Sequence, residues 1–179
     1  MKKIISFLFM GVLLFANPGC KILDKLTQFH VTYNSQVTIP KTLGLDLPID
    51  IPTPNINTNS NSEFESNNTH KNLIDVIYPS EMTLTITSPS SSSFNFLKNI
   101  EIDISADGLP EKKIAWINDI PKSGLKTITL DLSSDNLKDY IMKDSIKLHI
   151  KTTTRELISH DTDVDVHTVF FVNAKILGI

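Results

Sequence analysis

The chain has 179 residues, 40% hydrophobic and 21% charged, which suits one domain with a real core. A net charge of −3 offers no basic field for phosphate backbones, so nucleic acid is excluded as a natural partner. Cys20 is the sole cysteine, so no intrachain disulfide forms, and beyond it only Gly44, Gly108, Gly124 and Gly178 remain for phosphate-cradling loops.

Lys2 and Lys3 precede a nearly unbroken apolar run from Ile4 to Ala16. That run is too short for a transmembrane helix and fits the hydrophobic region of a signal peptide. Asn17-Pro18-Gly19-Cys20 comes next and resembles the lipobox of bacterial lipoproteins. Gly19 fits the pattern, whereas Asn17 and Pro18 depart from its aliphatic-then-small preference. The resemblance implies cleavage before Cys20, lipidation of that cysteine and, with Lys21 next, an outer-membrane destination in an unspecified leaflet. Simple secretion is the alternative. Cleavage removes Lys2 and Lys3 and leaves 15 basic against 20 acidic groups. The expected organisation is a signal peptide over 1–19, an anchor and tether over 20–26, and one domain over 27–179.

From Lys21 to Ile39 the chain alternates, with Phe29, Val31 and Tyr33 on one face and His30 and Thr32 on the other, predicting a first strand. Residues 41–70 carry Pro48, Pro52, Pro54 and an Asn/Ser-rich tract, predicting a loop. Alternation at Leu43, Leu45, Leu47, Ile49 and Ile51 lets part of it serve as an edge strand, where proline is tolerated. The polar stretch 52–72 is expected to be the mobile element and contact surface.

Strands are expected next at Met82–Ile86, Ile100–Ile104, Lys113–Ile117, Leu125–Leu132 and Ile146–Ile150, with Asp107-Gly108 as a turn. Phe94–Leu97 is expected to plug one end of the core. Ser133-Ser134-Asp135 is read as the cap of the one short helix, with Leu137, Tyr140 and Ile141 on one face. The last strand runs from Asp161 to Ile176, with a second apolar patch at Val169 and Phe171. Short gaps and almost no intervening helix predict an all-β antiparallel β-sandwich. The stretch Phe94–Trp116 (FNFLKNIEIDISADGLPEKKIAW) resembles a segment of small envelope lipoproteins of Bacteroidota that have no assigned activity. It implies an envelope location and brings no catalytic residues.

Asp161, Asp163, Asp165 and His167 share one strand face, about 6.6–6.8 Å apart. They are the candidate metal ligands, carboxylates for Ca²⁺ and the imidazole for a transition metal. No EF-hand fits, because Val166 and Val172 stand where glycine and glutamate are needed. The competing reading is a solvated face whose charges discourage edge pairing. His30, His70, His149 and His160 are scattered. There is no Gly-x-Ser-x-Gly elbow, His-Glu-x-x-His or Walker loop, and the serines at 88 and 90–93 read as a loop. Trp116, Tyr33, Tyr78 and Tyr140 could stack a carbohydrate, but a lone tryptophan in an alternating strand is expected in the core. Asn67-Asn68-Thr69 is an N-glycosylation triplet, and Asp144-Ser145-Ile146 resembles the O-glycosylation triplet of Bacteroidota envelope proteins.

The expected role is non-catalytic: a protein held to the membrane through Cys20, without cofactor, that binds or supports an envelope partner. The alternatives are a glycan hydrolase with paired carboxylates and a Ca²⁺-stabilised adhesin module.

Overall fold

A computed structural model describes residues 27–42 and 44–175; the leader, Cys20, Leu43 and Ile176 lie outside them. Among the described residues the strands are β1 Gln28–Ile39, β2 Pro48–Pro52, β3 Ile56–Asn57, β4 Ile74–Ser88 and β5 Leu97–Ala106, then β6 Lys112–Ile117, β7 Thr127–Thr129, β8 Asp131–Leu132, β9 Ser145–Thr154 and β10 Thr162–Ala174. They form two antiparallel sheets, ordered β1-β10-β4-β7 and β2-β9-β5-β6-β8, with β3 pairing the far end of β9. The chain is an all-β antiparallel sandwich, as its alternation predicts.

Alternation decides which side chains meet between the sheets. Val31, Tyr33, Val37 and Ile39 of β1 and Val164, Val166, Phe170 and Val172 of β10 are buried. Ile100, Ile102 and Ile104 of β5 and Ile146, Leu148 and Ile150 of β9 are buried from the other sheet. Phe94, Phe96 and Leu97 close one end, as expected. Pro48 and Pro52 bound β2 at the sheet edge, where a missing N–H costs no ladder bond. Gly108, at φ 72°, makes the β5–β6 turn.

Four local expectations are corrected. Residues 125–132 are two strands rather than one. β7 pairs with β4 in one sheet and β8 with β6 in the other, and buried Leu130 crosses between them with its N–H on the Met82 carbonyl at 3.0 Å. Switching sheets in this way is a known means of making a sandwich corner. The predicted helix is a single turn, α2 Lys138–Ile141, preceded by Leu137. Leu137, Tyr140 and Ile141 are buried as expected, but the polar contact at its start is Asn136 rather than Ser133–Asp135. Its Oδ1 accepts from the Lys138 and Ile77 N–H groups, both at 3.1 Å.

The polar tract 52–72 is not a bare loop. It contains β3 and a seven-residue helix, α1 Ser60–Ser66, and buries Thr53, Ile56, Thr58, Ser60, Phe64 and Thr69. Phe64 is fully buried and meets Phe29 edge-on at 6.0 Å. Its threonines act as backbone surrogates: the Leu148 N–H donates to Thr53 Oγ1 at 2.9 Å, and the Thr58 hydroxyl donates to the Lys143 carbonyl. The Tyr33 hydroxyl donates to the Thr58 carbonyl at 2.8 Å. Burial, then the Glu63 charge, pushes the Tyr33 hydroxyl well above its ordinary pKa.

The fourth correction concerns Trp116. The register between β5 and β6 slips between Ile102 and Asp103, leaving Ile114 as an extra residue on β6. Ile114 and Ala115 both turn inward and are fully buried. One extra residue inverts the parity of the strand beyond it. Trp116 therefore pairs with Glu101 and stands half-buried on the outer face.

Candidate functional site

The candidate metal row is present but committed elsewhere. β10 lies between β1 and β4, so it is an interior strand and its charges guard no edge. Each polar group bonds to β1 or the residues after it. The Lys41 N–H donates to Asp161 Oδ1 at 2.8 Å, and the Thr38 hydroxyl to Asp163 Oδ1 at 2.7 Å. Gln36 Nε2 donates to Asp165 Oδ1 at 2.9 Å, and His167 Nδ1 meets Asn34 Oδ1 at 2.8 Å. The row is a cross-strand ladder that sets the register of first strand against last. Among the described residues no group of three or more His, Cys, Asp or Glu is arranged to hold a metal ion.

Asn67 is half-buried just after α1, and its amide donates to the Glu63 carbonyl at 2.8 Å, while Thr69 is buried. Ser145 is half-buried at the start of β9, opposite Asn57. Val169 and Phe171 are half-buried on the outer face of the smaller sheet, where Phe171 touches His30 at 5.6 Å. The aromatic residues do not assemble into one platform. Tyr33 packs inside against Phe170, and the Tyr140 hydroxyl donates to the Pro110 carbonyl at 2.7 Å.

The outer face of the larger sheet gathers chemistry that no contiguous motif announces. Strand register puts Asp50 beside Lys151, Lys151 beside Glu101, and Glu101 beside Trp116, in one row across β2, β9, β5 and β6. An open depression of about 540 Å³ lies over this row, lined also by Pro48, Asn99, Asn118 and Thr153. Lys113 sits 5.6 Å from the Trp116 ring centroid and does not line the depression.

Below the row is a charge network. Asp103 is only 5% exposed, and Lys151 holds its Oδ2 while also reaching Glu111 at 3.0 Å. Hydrogen bonds from Lys151 to Asp103 first, and to Glu111 next, hold the ammonium above the ordinary lysine range. His149 Nδ1 lies 3.3 Å from Glu111 and 3.6 Å from Asp50, and Lys113 lies 3.2 Å from Glu101. The two carboxylates lining the depression, Asp50 and Glu101, therefore each face a basic side chain.

Three of the polar side chains that line the opening keep hydrogen-bonding groups unused. Among the described residues the Trp116 indole N–H and the Asn118 side chain have no hydrogen-bond partner. Asn99 uses its Oδ1 on the Thr153 N–H at 3.1 Å and leaves its amide N–H groups unused.

A second surface lies at one end of the sandwich. The exposed leucines Leu45, Leu47, Leu125 and Leu157 all stand in loops there, joined by the Thr42–Ile158 bridge and a 2.7 Å Lys122–Glu156 ion pair. The chain enters β1 at the opposite end, where the Thr27 carbonyl accepts from the Ala174 N–H.

No family and no curated protein matches the chain. A solved structure described as Desmodium yellow mottle tymovirus is similar over 85% of this chain and 91% of its own, at 9% identity and a TM-score of 0.33.

Proposed function

We propose that the chain is a lipid-anchored cell-envelope protein with a non-catalytic binding role, exercised on the outer face of the six-stranded sheet. The leader supports the placement: two lysines, a 13-residue apolar run and Cys20 after Gly19. Each buried methylene of an attached acyl chain contributes about 0.8 kcal/mol, so two chains give a stable anchor. Outer membrane is the preferred destination.

The observation that carries the binding reading is the depression over Asp50, Lys151, Glu101 and Trp116. The Trp116 indole N–H, the Asn118 side chain and the Asn99 amide N–H groups that line it are unspent, while its carboxylates have basic neighbours. Hydrolysis of a glycosidic bond needs one acid kept protonated beside a second carboxylate. Asp50 and Glu101 stand two strands apart, about 9.5 Å between backbones. Asp50 faces the His149 ring at 3.6 Å and Glu101 faces Lys113 at 3.2 Å, so each carboxylate keeps a basic partner of its own rather than sharing a site with the other.

The test places a photo-crosslinking residue at position 118, on the binding face, and another at position 36, on the opposite outer face. Adducts in cells at 118 and not at 36 are the expected result; equal yields, or none at 118, refute the assignment of the face. Palmitate labelling lost in Cys20→Ser tests the anchor. Acyl-free protein in the medium, or a chain retaining its first 19 residues, refutes it.

A further inference from the structure

We infer that the Trp116 depression binds a neutral oligosaccharide. The inference rests on the binding role proposed for this face and names its ligand. Three observations point to a sugar. Trp116 is half-buried on a polar sheet face, where a bulge has put an indole that the core could have used. With Lys113 over one face of the ring, the face left to the depression is a flat apolar surface suited to the C–H face of a pyranose. Around it stand an unpaired indole N–H, the Asn99 and Asn118 amides, and one free oxygen each on Asp50 and Glu101. That is a mixed set of donors and acceptors beside an aromatic face, which hydroxyl pairs satisfy and an apolar ligand does not.

The shape sets the size. The row from Asp50 to Trp116 crosses four strands, about 14 Å at ordinary strand spacing. A single ring would leave one end of it empty, and a short oligosaccharide spans it.

Charge sets the class. Asp50, Glu101, Asp103 and Glu111 are four carboxylates against the two ammonium groups of Lys113 and Lys151, with His149 among them. The face is net acidic, so uronates, sulfated glycans and phosphates are repelled. Lys151 is spent on Asp103 and Glu111 and is not available to an anion.

Trp116 is the only tryptophan in the chain, so its fluorescence reports on this site alone. The full-length protein in detergent micelles is titrated with cellotriose, maltotriose, chitotriose and, as the anionic arm, trigalacturonate. A saturable change in Trp116 emission with at least one neutral trisaccharide, and none with trigalacturonate, is the expected result. By calorimetry Trp116→Ala then weakens that sugar roughly tenfold or more, and Trp116→Phe retains most of the affinity. Asn118→Ala, an exposed residue without a side-chain partner, weakens it several-fold with unchanged melting, which keeps the test independent of folding. No response to any neutral sugar, or tighter binding of trigalacturonate, overturns the inference. If position 118 still gives adducts in cells, that failure removes the sugar and leaves the binding face standing.

Discussion

Replacing Lys151 with methionine isolates the energetics beneath the candidate face. Asp103 is 5% exposed, its Oδ1 has no partner, and its Oδ2 is held by Lys151. Removing one member of a buried ion pair typically costs about 3–5 kcal/mol, because a charge is left in a poor solvent. Lys151 is itself 37% exposed, so water can reach part of the vacated space and the pair is partly screened. Discounting for that gives about 2 kcal/mol, or a fall of about 4–8 °C in melting temperature for a chain of this length. Asp103→Asn in the Lys151→Met background should recover most of the loss, since a neutral amide carries a smaller burial penalty. Asp103→Leu with Lys151→Met should melt near or above the wild type. Thermal unfolding by circular dichroism reads all four proteins. If Lys151→Met melts with the wild type, or adding Asp103→Asn to it brings no gain, Asp103 does not depend on this cation.

Three further outcomes are expected. Tyr33 and Lys151 both have folded pKa values raised above their ordinary ones, so each stabilises below about pH 10 and loses that contribution as pH rises further. Tyr33→Phe should cost about 1 kcal/mol at pH 7 through the lost bond to Thr58 and should flatten the alkaline fall in stability, measured by denaturant titration from pH 8 to 11; an unchanged slope refutes it. Phe64→Ala should cost about 3–5 kcal/mol and release the 52–72 segment to limited proteolysis, and an uncut segment would contradict the packing of α1. Chelator should leave the melting temperature unchanged, because Asp161, Asp163 and Asp165 already accept protein hydrogen bonds, whereas a drop would restore the metal reading.

Much of the sandwich is legible because a strand with one buried face must alternate. The patterns at 29–33, 82–86, 100–104 and 146–150 become β1, β4, β5 and β9 with the expected faces inward. What alternation cannot carry is parity after a break. Ile114-Ala115-Trp116-Ile117 is continuously apolar, so the sequence does not say which of its residues face in, and the bulge decides. That unbroken run is itself the available signal that Trp116 is not bound to the core.

Helix α1 is invisible to periodicity because SNSEFES has poor helix propensity and one apolar residue; its stability comes from a single tertiary anchor, Phe64. The candidate face is hidden for another reason. Asp50, Glu101, Trp116 and Lys151 are remote in sequence and meet only through the pairing of β2, β9, β5 and β6. Cross-strand order is a property of topology, and local periodicity does not encode it.

Among the described residues β1 pairs with one strand, β10, which comes last of them in chain order. Until residues 162–174 emerge, the backbone of β1 has no ladder, and Val31, Tyr33 and Val37 lack the valines of β10. Closing so long a loop is slow, and ahead of it β1 has only its contacts with the 52–72 segment, Phe29 on Phe64 and Tyr33 on Thr58. Loss of residues 162–174 would leave β1 without its ladder partner, however intact everything between them.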